Sequence, residues 1–128
     1  MARAYTVAAV AVTLRVSYKW LDNVLSHHRI QGVVQSRQGV SRRLTPQAIV
    51  KLELAVRISR SVGSTIGRAL ALAAQLMETG SGTSTLELPG SVRLSVDLDA
   101  ITQSVYSRMA EAVEVTPVRR RGRPPFQR

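Results

Sequence analysis

Side chains that could catalyse a reaction or hold a metal are sparse in this 128-residue chain, which contains two histidines and no cysteine. His27 and His28 are adjacent, so on a helix they project about 100° apart and do not converge on one ion. No Cys, Glu or third His stands at ligand spacing around them. Asp97 and Asp99 could work as an acid–base pair, but both fall where a helix start calls for carboxylates. Serines are plentiful, yet neither histidine is patterned to activate one. Gly63-Ser64-Thr65-Ile66-Gly67 lacks the Gly-Lys-Ser/Thr ending of a phosphate-binding loop. The expectation is no catalytic site, no metal and no cofactor, and hence no enzyme.

What remains is cationic binding chemistry. Of the 18 basic residues only Lys19 and Lys51 are lysine. A solubility coat has no need of that bias, whereas the planar guanidinium suits phosphate oxygens and the guanine edge. The charge is also segregated. Residues 1–80 carry 11 basic against 3 acidic side chains, residues 81–116 carry 2 against 5, and residues 117–128 carry 5 against 0, for a net of +10. Two polyanion-facing surfaces around a neutral-to-acidic segment are the natural reading. The absence of cysteine suits a reducing interior. Val7–Val12 is too short and too soon interrupted to be a membrane span or a signal sequence.

The elements that must position these cations can be read from caps and periodicity. Thr6 caps a short helix with Val7, Val10 and Leu14 on one stripe, and Ser17 caps a second helix through about His28. In the second, Leu21, Val24, Leu25 and His28 face one way. Tyr18, Lys19, Asp22, Asn23 and Ser26 face the other. Two short helices around Leu14-Arg15-Val16 form a helix-turn-helix signature. Ile30–Leu44 reads as a hairpin turning at Gln38-Gly39, with Arg37, Arg42 and Arg43 at or near its tip. Thr45-Pro46 opens a helix to about Arg60, apolar on more than one side. A fourth runs from Ser64 or Thr65 to Met77. Residues 79–85 read as a flexible linker by composition. Leu86–Leu88, Pro89-Gly90 and Val92–Val96 suggest a hairpin, followed by a helix capped by Asp97 or Asp99 and reaching about Glu114. That unit is too small to fold alone, so it should pack on the first domain, on a copy of itself or on another protein.

The order helix, turn, helix, basic hairpin, helix, helix over residues 5–77 resembles the MerR-like winged helix-turn-helix superfamily, which includes excisionases. Tyr5–Ala11 resembles its opening, and Val16-Ser17 followed by Leu21 resembles the start of its recognition helix. Arg43-Leu44-Thr45 looks like the end of its wing, and Ser61–Ile66 like its turn into helix four. Asp22 departs from the family pattern, where an Arg grips phosphate. The long coiled-coil dimerisation helix and the effector-binding cysteines are also missing, so ligand sensing does not carry over. In the tail, Arg119-Arg120-Arg121-Gly122-Arg123-Pro124-Pro125 contains an Arg-Gly-Arg-Pro core similar to an AT-hook, which lies in the narrow minor groove of A·T-rich DNA. A basic tail gripping phosphates without preference is the alternative.

The expected organisation is a mainly α chain: a winged-helix DNA-binding domain (1–78), a linker (79–85), a dimerisation or partner-binding module (86–116) and a basic tail (117–128). The expected function is a cytoplasmic, nucleoid-associated transcriptional regulator, a repressor, that binds double-stranded DNA as a homodimer. Ser17, Tyr18, Lys19 and Asn23 would enter the major groove, with Asn reading adenine and Lys reading guanine or phosphate. Arg15, Arg37, Arg42, Arg43 and the tail residues Arg119, Arg120, Arg121, Gly122 and Arg123 would hold the backbone or minor groove. The rivals are an antitoxin that neutralises a toxin through residues 81–116, and an excisionase or architectural protein that bends DNA.

Overall fold

Hydroxyl side chains start the first four helices. Thr6 accepts from the Ala9 N–H at 3.1 Å to open α1 (Val7–Leu14), and Ser17 accepts from Trp20 at 3.0 Å to open α2 (Tyr18–His27). Thr45 accepts from Ala48 at 3.3 Å to open α3 (Pro46–Val62), and Thr65 from Arg68 at 3.2 Å to open α4 (Ile66–Leu76). Each satisfies a backbone donor that the helix itself cannot, worth about 1 kcal/mol apiece. In the computed structural model, which describes residues 4–35 and 42–115, these helices are interleaved with short strands. β1 (Tyr5–Thr6), β2 (Val33–Val34) and β3 (Arg43–Leu44) form a sheet ordered β1-β3-β2; β4 (Thr83–Leu88) and β5 (Val92–Asp97) form another and lead into α5 (Leu98–Val115). The architecture is mainly α with small antiparallel sheets. Among the described residues no helix is long and apolar enough to cross a membrane.

The core is continuous from one end to the other. Leu14, Leu21, Leu44, Ile49, Leu52 and Leu76 are all but fully buried, and α5 adds Leu98, Ile101, Val105 and Met109 to the same cluster. Each such side chain contributes about 1.5–3 kcal/mol through its removal from water. α1 sits in the middle of this packing, against α2, α3 and α5. That position explains why Ala9, Ala11 and Thr13 are buried as well as the expected stripe of Val7, Val10 and Leu14. A helix covered on several sides keeps little solvent face, here mainly Val12, to betray its period.

Residues 79–85 do not form the expected linker throughout. A 3-10 turn occupies Met77–Thr79, and β4 begins at Thr83. The buried Ser84 hydroxyl donates to the Leu76 carbonyl at 2.7 Å, and Leu98 N–H donates to Gly82 O at 2.9 Å. A small hydroxyl side chain on the inward face of a strand can close off the end of a neighbouring helix, which composition alone does not reveal. The β4–β5 hairpin and α5 pack on the helices that precede them, one of the three arrangements expected for this segment, with α5 lying on α1 and α3. Asp97, rather than Asp99, caps α5 through the Ala100 N–H at 3.0 Å.

The base of the β2–β3 arm depends on Gly32. Its φ is +97°, its carbonyl accepts from Thr45 N–H at 2.9 Å, and a Cβ there would collide with Thr45 Oγ1 and stand 3.0 Å from Ala48 Cβ. Gly32→Ala would therefore strain the backbone and evict the α3 cap together. The expected loss is about 2–4 kcal/mol of stability, summing a disfavoured φ and a lost cap, read as a lower midpoint in thermal unfolding by circular dichroism.

Candidate nucleic-acid interface

α2 shows its two faces plainly. Leu21, Val24 and Leu25 are buried, while Ser17, Tyr18, Lys19 and Asn23 are exposed. A shallow groove of about 510 Å³ runs along this outer face past Lys19, Asp22, Asn23 and Ser26. Its donors and acceptors are unequally available. Ser17 Oγ already accepts the capping bond but keeps its proton to donate. Ser26 donates to the Asp22 carbonyl at 2.9 Å, and His27 Nδ1 donates to the Asn23 carbonyl at 2.8 Å, so both are turned back on the helix. The Asn23 side-chain amide and the Lys19 ammonium make no hydrogen bond to other described residues, which leaves both able to meet a base edge or a phosphate. His28 lies against α4, where a Cβ on Gly67 would stand 3.0 Å from its ring. Among the described residues no three His, Cys, Asp or Glu side chains come together in a way that could hold a metal.

Asp22, the acidic residue on the outer face of α2, has a defined role in the structure. Its Oδ1 accepts from Arg42 Nη1 at 3.1 Å, and Arg42 Nη2 donates to Ser26 Oγ at 3.4 Å. The pair is partly exposed, so its stability contribution is small, within about 1 kcal/mol. Its geometric effect is larger. It ties the start of β3 to the outer face of α2 and neutralises the one carboxylate on that face. Arg42 is thus a strut between the arm and the helix rather than a free cation at a hairpin tip. Its neighbour Arg43 is exposed, with no carboxylate partner among the described residues, because alternation along β3 turns Leu44 into the core and Arg43 out.

Pairing sharpens the charge segregation of the sequence. Both cations of residues 81–116 are occupied internally: Arg93 by Glu87 at 2.7 Å, and Arg108 by Glu53 at 3.1 Å. Arg57 is likewise held by Glu53. Among the described residues the cations without a carboxylate partner are Arg15, Lys19, Arg29, Arg43, Lys51, Arg60 and Arg68, all before residue 80. Asp99 and Glu111 of α5 are exposed and pair with no cation among the described residues.

The turn that aims α2 is held from two sides. Arg15 adopts a left-handed conformation, φ +59°, and ends α1 by donating its N–H to Ala11 O and Val12 O. Val16 N–H also reaches Ala11 O, at 3.1 Å. The next carbonyl, Thr13 O, accepts from Arg108 Nη1 of α5 at 3.1 Å. Arg108 also donates to Glu53 Oε2 and Ser104 Oγ, at 3.1 and 3.0 Å. This buried junction was not legible in the sequence, since Glu53 looks like any solvated helical glutamate until α5 covers it. Arg60 was also missed; with Arg15, Ser17, Trp20, Val56 and Ile66 it lines a hollow of about 350 Å³ beside the first turn of α2.

The structure therefore brings Arg15, Ser17, Tyr18, Lys19, Asn23 and Arg42 to α2 and its immediate flanks, and places Arg43 exposed on β3. Arg37 and the tail residues Arg119, Arg120, Arg121, Gly122 and Arg123 lie outside the described residues. Compared with known protein families, with curated proteins and with solved structures, the chain finds no match.

Proposed function

We propose that the chain is a winged helix-turn-helix DNA-binding protein, acting without catalysis as a dimeric transcriptional repressor. In this reading α1 and α2 are the helix-turn-helix and α2 is the recognition helix. The β2–β3 arm is the wing. The observation that carries the proposal is the distribution of cations without a carboxylate partner among the described residues: Lys19 stands on the exposed face of α2 and Arg15 and Arg60 beside its first turn, whereas the cations of residues 81–116 are neutralised internally. A surface arranged in that way attracts a polyanion on one side only. Lys19 and Asn23 read bases in the major groove, and Arg15 and Arg43 grip the flanking phosphates. A dimer reads two half-sites about one helical turn apart.

The antitoxin alternative is separated by co-purification, since an antitoxin would be recovered with the product of a neighbouring gene bound to residues 81–116. The architectural alternative is separated by measuring DNA bending on the bound fragment.

The test is the double replacement Lys19→Ala with Asn23→Ala, assayed on a selected site and on random duplex at one salt concentration. Each lost base contact should cost about 1–3 kcal/mol of discrimination. The ratio of specific to nonspecific affinity should therefore fall by at least tenfold while nonspecific binding changes little. An equal loss on both duplexes would mean that α2 meets only the backbone.

A further inference from the structure

We infer that the hollow beside the first turn of α2 is a binding site for a small aromatic carboxylate. At about 350 Å³ it falls at the lower end of the size range of small-molecule sites. Its lining combines two chemistries. Arg15 and Arg60 supply guanidinium donors, and no carboxylate lines the hollow or pairs with either of them among the described residues. Ser17 adds a hydroxyl proton, its oxygen being already engaged as the α2 cap. The neighbouring Ser59 hydroxyl is committed elsewhere, donating to Ser64 O at 2.6 Å. Val56, Ile66 and Trp20, which is 37% exposed, contribute apolar surface to the same lining. Two uncompensated like charges in one concavity favour an anion between them. The apolar wall and the indole favour a ligand with a flat hydrocarbon body over a bare inorganic ion.

Occupancy has a consequence that rests on the proposed function. Arg15 and Ser17 belong both to this hollow and to the proposed DNA face. A carboxylate that takes their donors withdraws them from phosphate, so the ligand weakens DNA binding and acts as an inducer.

Trp20 is the chain's single tryptophan, so its fluorescence reports the hollow directly. The full-length protein, free of DNA, is titrated with phenylacetate, with phenylethanol as the uncharged analogue and with inorganic phosphate as the bare anion. The expected result is a saturable change with phenylacetate at a Kd of about 1 mM, reasonable for ten heavy atoms in an open site. Phenylethanol and phosphate should each bind at least tenfold more weakly. Arg60→Gln should weaken phenylacetate at least tenfold, and Arg15→Gln is a second exposed position where the same loss is expected. A linear, non-saturating response would overturn the site. So would phosphate binding as well as phenylacetate, or folded variants that keep full affinity. In a second arm at matched ionic strength, saturating phenylacetate should raise the Kd for DNA at least fivefold, and an unchanged Kd would overturn the coupling. Failure to bind DNA at all would remove the proposed function while leaving the fluorescence result standing. A flat titration with intact DNA binding would remove only the hollow.

Discussion

Arg108→Ala should destabilise the protein by about 3–5 kcal/mol, the range expected when one partner of a buried ion pair is removed. Glu53, whose side chain is only 6% exposed, would then keep Arg57 alone, and Arg57 is itself 43% exposed. The Thr13 carbonyl at the end of α1 would lose its donor, and α5 would lose a polar link to both α1 and α3. For a chain of this size the midpoint of thermal unfolding should drop by roughly 10–20 °C. The diagnostic comparison is the double variant Glu53→Leu with Arg108→Leu. Replacing both members by apolar groups removes the uncompensated carboxylate, so most of the stability should return. If the single variant lost nothing, the junction would be dispensable. If the double were as unstable as the single, the loss would come from packing and not from the stranded charge. The variant should also affect DNA: Thr13 O lies one residue before Leu14 and two before Arg15, where the turn that aims α2 begins. At a temperature where Arg108→Ala remains folded, its discrimination between sites should weaken more than its nonspecific affinity.

Removal of residues 117–128 should have the largest effect on DNA affinity. The segment carries five arginines and no acidic residue. If each engages one phosphate, the slope of log K against log salt should become shallower by about 4 to 5, since close to one counterion is released per contact. Between 50 and 200 mM salt the intact chain should then lose roughly several hundredfold more affinity than the truncated one. An unchanged slope would exclude the tail from DNA contact. Comparing A·T-rich with G·C-rich duplexes separates the two readings of Arg119–Arg123. Minor-groove insertion around Gly122 predicts a preference for A·T that the truncation abolishes. Simple phosphate binding predicts the same salt effect without any base preference.

Much of the local structure was legible because it is governed by local chemistry. Thr6, Ser17 and Thr45 were each expected as caps and accept the capping bond; Thr65, read as one of two possible starts of the fourth helix, caps it as well. The two faces of α2 followed from the spacing of Leu21, Val24 and Leu25. The β4–β5 hairpin followed from alternation around Pro89-Gly90. The failures share a cause. β1 pairs through only Tyr5↔Leu44 and Thr6↔Arg43, a register set by a strand nearly forty residues away. The supposed linker has the composition of a loop, yet Ser95 of the partner strand engages the Thr85 hydroxyl and the end of α4 takes that of Ser84.

By itself, the sequence determined where the helices start, which face of α2 reaches solvent, and that the surplus of positive charge lies outside residues 81–116. Those properties depend on residues within a few positions of each other or on simple counting. Only the tertiary structure decided which charges remain available. Arg42 is taken by Asp22 across twenty residues, and Arg108 by Glu53 across fifty-five, whereas Arg15 and Arg60 meet in one hollow with no carboxylate. The physical reason is that a charge acts through its distance to other charges and to water, and the packing of α5 onto α1 and α3 sets those distances at the buried junction.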